Sequence, residues 1–131
     1  MKVLDLSGRG LTEVPVERLH PELEELYLYD NALTRLPEAV GRLARLRVLD
    51  LNRNPIEALP DLSGLGSLEF LYAAELKLKA LPDLSKLRRL IYLNASGNRL
   101  EIPTSLGLLP HLLDRKSTRL NSSHTDISRM P

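Results

Sequence analysis

The sequence predicts an α/β solenoid, in which short units stack to give a curved parallel sheet on the concave side and short helical or 3₁₀ segments on the convex side. Three observations support this fold. The chain repeats itself about every 22 residues, each unit has apolar residues two positions apart, and a proline follows them. A fixed period of about 20 to 50 residues is typical of proteins built by stacking one small unit.

Five units align along the chain. They begin at residues 1, 23, 46, 68 and 90, so complete units are 22 or 23 residues long. They open with the segments MKVLDLSGRGLTEVP, LEELYLYDNALTRLP, LRVLDLNRNPIEALP, LEFLYAAELKLKALP and the shorter LIYLNASGNRLEIP. We assign residues 1–113 to one domain, which contains these five units and the truncated start of a sixth.

The fourth and sixth positions of each unit predict a strand. They hold Leu4 and Leu6, Leu26 and Leu28, Leu49 and Leu51, Leu71 and Ala73, and Leu93 and Ala95. Side chains two residues apart lie on the same face of a strand. One short strand cannot bury that face alone, whereas five strands about 4.8 Å apart form a parallel sheet over a continuous core.

The ninth position marks the turn after each strand. It holds Asn31, Asn54 and Asn98 in three units, and Arg9 and Leu76 in the other two. An amide side chain both donates and accepts hydrogen bonds, so the asparagines are predicted to satisfy backbone groups where the strand ends. Leu76 is expected to leave such groups without this partner, at a cost of about 1–3 kcal/mol unless a neighbour substitutes.

The outer segments begin at a proline in each unit. Apolar pairs three residues apart follow in four units: Val40 and Leu43, Leu62 and Leu65, Leu84 and Leu87, and Leu106 and Leu109. This spacing predicts short helical or 3₁₀ turns. Because these segments are bulkier than strands, the stack is expected to curve with its sheet on the inside.

The unit pattern L-x-x-L-x-L-x-x-N-x-L-x-x-L-P resembles that of the leucine-rich repeat family, whose units run about 20 to 29 residues. The Leu-Pro pair and the absence of cysteine are similar to intracellular repeats of the Ras-group and bacterial effector kind. The resemblance covers residues 1–111. It implies a horseshoe-shaped solenoid, a ladder of asparagines between neighbouring turns, and a concave face that binds another protein.

The last eighteen residues, DRKSTRLNSSHTDISRMP, depart from the repeat. A sixth unit needs apolar residues where the chain has Arg115, Ser117 and Ser122. Residues 114–131 resemble a translated sequencing-library adapter, with two fixed blocks around a variable index. We expect a non-native, disordered tail, with the protein's own continuation missing; the alternative is a natural disordered terminus.

Composition argues against several classes of function. The chain has a net charge of +1 and no cysteine, which favours neither a nucleic-acid nor a membrane partner and removes thiolate sites. No apolar run approaches the roughly 18 residues of a membrane span, so we expect a cytoplasmic protein. The oligomeric state is not indicated.

Catalytic and metal-binding patterns are also missing from the sequence. His20 and His111 lack a second ligand within their own units, so we expect no metal and no cofactor. Asp5 and Asp50 lie in one column of the sheet, two strands apart, and are interpreted as solvated side chains. We therefore expect no enzymatic activity.

The side chains between the core leucines point out of the sheet and include all four tyrosines and the one phenylalanine. The candidate partner-binding residues are Tyr27, Tyr29, Asp50, Asn52, Phe70, Tyr72, Tyr92 and Asn94. Asp30, Arg53 and Glu75 are expected at their rim. Aromatic residues are enriched at binding hot spots. The alternative is that these rings brace one another across neighbouring strands.

Two functions are consistent with these features. The first is a non-enzymatic protein–protein interaction module that uses its concave face. The alternative is the recognition or regulatory arm of a larger enzyme, such as a GTPase, kinase or ubiquitin ligase, truncated after residue 113.

Overall fold

A computed structural model describes residues 2–100 of the chain. It confirms the solenoid: five strands run in chain order in one parallel sheet. The strands are β1 (Val3–Asp5), β2 (Glu25–Tyr27), β3 (Val48–Asp50), β4 (Phe70–Tyr72) and β5 (Tyr92–Asn94). Each strand pairs with the next at equivalent positions, as Leu26 does with Leu49, because the units share one pattern of core leucines.

Several expectations fall outside the described residues. They concern the shortened loop before Pro103, the turn at Leu106 and Leu109, His111, and the tail over 114–131.

The outer segments differ between units. Two form 3₁₀ helices, Val16–Arg18 and Glu38–Arg42, whereas the third and fourth units form turns. There the Leu65 N–H donates to the Leu62 carbonyl at 3.0 Å, and the equivalent bond recurs in the fourth unit. The Asp61 carboxylate accepts from the Ser63 N–H at 2.9 Å and begins the turn. The expected 3₁₀ helix is therefore present in the second unit. In the third and fourth units the equivalent segments form only hydrogen-bonded turns.

The core is a continuous stack of leucines beneath the sheet. Leu26, Leu49, Leu71 and Leu93 are fully buried, and rows of apolar residues from the outer segments close the other side. Burying such a side chain contributes about 1.5–3 kcal/mol, so the repeated core supplies most of the stability. Among the described residues, no helix has the length and apolar character needed to cross a membrane.

The ladder asparagines connect neighbouring units. Asn54 Nδ2 donates to the carbonyls of Leu28 at 3.0 Å and Leu51 at 2.9 Å, while its Oδ1 accepts from the Leu33 N–H at 3.1 Å. Asn31 and Asn98 each bind a pair of equivalent carbonyls. Each asparagine thus joins its own turn to the turn of the preceding unit.

The expectation for Leu76 allowed that a neighbour could substitute for the missing asparagine, and neighbours do so for two carbonyls. An asparagine at that position would donate to Leu51 and Ala73. These carbonyls accept from Asn54 at 2.9 Å and from Asn98 at 2.8 Å. Because each ladder asparagine spans two units, each carbonyl keeps one ladder donor, and Leu76 is buried as an apolar side chain.

Candidate functional site

The concave face consists of the side chains at the third, fifth and seventh positions of each unit. On this face the structure brings together all eight candidate residues, each of them half-buried: Tyr27, Tyr29, Asp50, Asn52, Phe70, Tyr72, Tyr92 and Asn94. Strand alternation explains this placement, because residues that flank a buried leucine point to the opposite side of the sheet. The candidates therefore form one continuous surface across β2 to β5.

The aromatic side chains form two groups. Tyr27 and Tyr29 meet edge to face with ring centroids 6.3 Å apart. Tyr92 contacts both Phe70, at 6.0 Å, and Tyr72, at 4.9 Å, and we call these three residues the aromatic cluster. The rings do contact one another across strands, as bracing requires, and they also keep part of their surface exposed.

Asp50 lies between the two groups on β3. It pairs in register with Tyr27 on one side and with Tyr72 on the other. Burial raises the pKa of Asp50, against a hydrogen bond that its carboxylate accepts from the Asn52 N–H at 3.1 Å. The interpretation of Asp50 as a solvated side chain is therefore wrong, because the neighbouring strands carry large rings that partly exclude water.

Asp5 has a different environment although it belongs to the same column. It is exposed on β1, and its carboxylate accepts hydrogen bonds from the hydroxyl of Ser7 at 2.6 Å and from its N–H at 3.0 Å. These bonds lower the pKa of Asp5. For Asp5, the interpretation as a solvated carboxylate agrees with the structure.

Tyr27 is fixed by a neighbour on its own strand. Its hydroxyl donates to Glu25 Oε1 at 2.6 Å, and this bond, with burial as a smaller cause, raises the pKa of Tyr27 to about 12. The two residues are separated by one position, so their side chains leave the same face of β2. A carboxylate therefore holds the ring at one end of the concave face.

The two polar candidate residues form hydrogen bonds within the chain and also lie on the concave surface. Asn52 Oδ1 accepts from the Ala74 N–H at 2.8 Å, which links the third and fourth units. Asn94 Oδ1 accepts from the hydroxyl of Ser96 at 2.8 Å. Their oxygen atoms are thus occupied within the chain, and the amide nitrogen is the group that each can offer to a partner.

The eighth position of every unit has a left-handed backbone. Gly8 and Gly97 occupy it in the outer units, whereas Asp30, Arg53 and Glu75 hold φ values of 58°, 61° and 59°. Side chains are strained in this conformation. The two glycines signal this turn in the sequence, but three charged residues in the same position obscured the signal.

Two of these charged residues are paired at the rim. The Arg53 guanidinium donates to both carboxylate oxygens of Asp30, with Nη2 3.1 Å from Oδ2. The pair holds the pKa of Asp30 below its usual value. Arg53 is therefore paired with Asp30, although it lies only three residues from Asp50 in the sequence.

The described residues offer little to a metal ion. Within 2–100, no three histidine or carboxylate side chains converge as a metal site would require. His20 lies exposed on an outer segment, away from the concave face. The arrangement of the face is suited to contact over a broad surface.

Comparisons with known proteins point to one family. A family model described as leucine-rich repeats in two copies matches residues 21–64, and a single-repeat model matches residues 89–112. A leucine-rich repeat protein of Leptospira interrogans has a similar solved structure, with a TM-score of 0.75 and 32% identity, over 82% of this chain and 29% of that one.

Two curated relatives share the repeat. Leucine-rich repeat and calponin homology domain-containing protein 1 of Mus musculus is 45% identical over 76 residues, which are 56% of this chain and 11% of the relative. Leucine-rich repeat-containing protein 10 of Bos taurus is 43% identical over 54 residues, or 40% of this chain and 19% of the relative. The chain thus spans a small part of the length of either relative.

Proposed function

The chain belongs to the leucine-rich repeat family, whose domains generally mediate protein–protein interaction, and we propose that it binds a partner protein on its concave face without catalysing a reaction. The observation that carries this proposal is the aromatic cluster. Phe70, Tyr72 and Tyr92 form a contiguous patch and each ring remains part-exposed.

The exposure of the rings supports a binding role in addition to bracing. Contacts of 4.9 to 6.0 Å between ring centroids stabilise neighbouring strands by about 0.5–1.5 kcal/mol each, and this alone would explain aromatic residues here. Bracing does not require that the rings face away from the core. A part-exposed aromatic patch of this kind is the usual centre of a protein interface.

The chemistry of the face also supports a binding role. Its carboxylates are Asp5, Glu25 and Asp50, and its hydroxyls come from serine and tyrosine. Glu25 accepts from Tyr27, and Asp5 accepts from Ser7, so both are engaged in local structure. A nucleophile needs an adjacent base that a third group orients, and these pairs do not form such a chain.

The second candidate function is the recognition arm of a larger protein, including a larger enzyme. It is favoured by the comparison itself, because the chain covers 11% and 19% of the two relatives. The name of the mouse relative includes a calponin homology domain in addition to its repeats. Under this alternative the concave face still binds a partner, and the attached domain acts on it.

Site-specific photocrosslinking tests the proposal. A photoreactive amino acid would replace Asn94 on the concave face in one variant and Lys86, which is exposed on the outer side, in a second. Both would be irradiated in extracts of the organism that encodes the chain. We expect a discrete crosslinked protein from position 94 alone, whereas crosslinks from position 86 alone would refute the assignment of the face.

The aromatic residues of the concave face provide a second test. Replacing Tyr27, Phe70 and Tyr72 by alanine should abolish the crosslink from position 94, while the variant stays folded and loses only the stability of the ring contacts, about 0.5–1.5 kcal/mol each. If the variant unfolds while the binding per folded molecule is intact, these rings are braces.

A further inference from the structure

The concave face carries negative charge without basic side chains. Its fifteen positions in the five units include Asp5, Glu25 and Asp50 and no lysine or arginine. The nearest cations are engaged elsewhere: Arg53 binds Asp30, and the Arg9 guanidinium lies 3.5 Å from the Asp5 carbonyl. The face is therefore complementary to a positively charged partner.

Asp50 is the carboxylate on the central strand of the sheet. It is half-buried between Tyr27 and Tyr72, which occupy the same position on the two neighbouring strands. Among the described residues it has no ion pair, since the pairs on this side of the molecule are Arg53 with Asp30 and Arg47 with Glu69. One of its oxygens accepts from the Asn52 N–H, and a carboxylate flanked by aromatic rings is chemically suited to a cationic side chain.

The aromatic cluster lies on the carboxy-terminal side of Asp50. Tyr92 is two strands away from Asp50, which corresponds to about 9–10 Å at the usual strand spacing. Tyr72, on the strand between them, borders both residues. The sheet thus holds Asp50 and Tyr92 at a fixed separation.

We propose that the partner presents a lysine or arginine side chain to Asp50 between the two tyrosines, and an apolar side chain to Tyr92, the far ring of the aromatic cluster, about 10 Å away. This inference rests on the proposed function and adds the chemistry of the partner. A separation of about 10 Å corresponds to three residues of an extended segment or to two turns of a helix. Nucleic acids and anionic lipids lack this combination and are repelled by the carboxylates.

Selection of short random peptides by the immobilised full chain tests the proposal. We expect the selected sequences to share a lysine or arginine with an apolar residue about three positions away, or about seven in a helical peptide. A synthetic selected peptide would then be titrated by fluorescence anisotropy. Acidic or uncharged sequences would overturn the proposal.

Matched variants test whether Asp50 binds the positive charge of the peptide. A charge-assisted hydrogen bond contributes about 1.5–3 kcal/mol, so Asp50→Asn should weaken binding of the basic peptide tenfold or more. Asp83→Asn removes an exposed carboxylate from an outer segment and should leave affinity unchanged. Equal affinity for the Asp50→Asn variant would contradict the proposal.

The same titrations distinguish this inference from the proposed function. If Tyr72→Ala and Tyr92→Ala abolish peptide binding and Asp50→Asn does not, the concave face binds its partner and the cation site is wrong. If none of the three variants affects binding, both are wrong. Failure of every peptide to bind also counts against both.

Discussion

Asp30 and Arg53 form a two-point ion pair across neighbouring units although both residues have a left-handed backbone, with φ of 58° and 61°. A side chain in this conformation costs about 1–2 kcal/mol relative to the right-handed alternative. An exposed ion pair offsets only part of this cost, because water and salt screen it. The rim of the concave face is thus held in a conformation that glycine would adopt more readily.

Glycine variants at the rim test this balance. We expect Glu75→Gly to raise the free energy of unfolding by up to about 1 kcal/mol, because it removes the strain and no ion pair. Arg53→Gly also removes strain but breaks the pair with Asp30, so its effect should be close to zero. Urea denaturation measures both, and a larger gain for Arg53→Gly would contradict the account.

The ladder asparagines are not equivalent. The Leu51 carbonyl accepts its ladder bond from Asn54, because Leu76 supplies none, and the Leu6 carbonyl likewise accepts its ladder bond from Asn31, because Arg9 supplies none. The two asparagines differ in burial: Asn54 is 2% exposed, whereas Asn31 is half-buried, so water replaces the lost bonds more easily at Asn31. We expect Asn54→Ala to cost about 2–3 kcal/mol and Asn31→Ala about 1 kcal/mol. Chemical denaturation of the two variants checks this order, and the reverse order would exclude it.

Tyr27 should lose its phenolic proton at a higher pH than an ordinary tyrosine. Its hydrogen bond to Glu25 favours the protonated phenol and raises its pKa from 10.0 to about 12. A raised folded-state pKa gives a stabilisation that is complete below pH 10 and is lost as the pH rises toward 12. The absorbance of tyrosinate should therefore include a transition at high pH that Tyr27→Phe removes and Glu25→Gln shifts toward 10.0. A late transition that survives in Tyr27→Phe would assign it to another residue.

Ionised Asp50 should lower the stability of the fold. Burial raises its pKa, Asp30 and Asp5 add to that effect, and Arg53 and the Asn52 N–H oppose it. Because the folded-state pKa is above 3.8, the protonated form is favoured by folding and this advantage is lost as the pH rises through the raised value.

Asp50→Asn should therefore unfold at a higher temperature than the unaltered chain at pH 7, while the difference vanishes below the ordinary pKa of the carboxyl. The amide oxygen can still accept from the Asn52 N–H, so the local hydrogen bond is retained. Thermal unfolding at both pH values measures this, and a lower midpoint at pH 7 would refute the effect. A residue that weakens the fold and is exposed to a partner is typical of a binding site.

Much of the fold could be predicted from the sequence because each unit repeats the same constraint. Leu26 and Leu28 can share one face only in a strand, and the same pair recurs in the next unit as Leu49 and Leu51. The outer segments were harder to predict, because Asp61 and Ser63 close a turn through a side-chain bond that spacing alone does not reveal.

The candidate surface could be predicted as a set of residues but not as a set of interactions. Alternation and the alignment of the units predict Tyr27, Asp50 and Tyr72 in one column, and the structure has this register. The partial burial of the carboxylate between two rings depends on how the side chains pack, which spacing does not reveal. The left-handed turn at Asp30 was also missed, because aspartate is a weaker signal for it than glycine and arginine is none.

The most direct test of the central claim is a map of amide chemical shifts on the isotope-labelled full chain, with and without the selected basic peptide. We expect the largest changes at the amides of Asp50, Tyr72 and Tyr92, on the concave side of the sheet. Changes confined to Glu38–Arg42 and the other outer segments would show that the partner binds the convex side, and would contradict the assignment of the concave face.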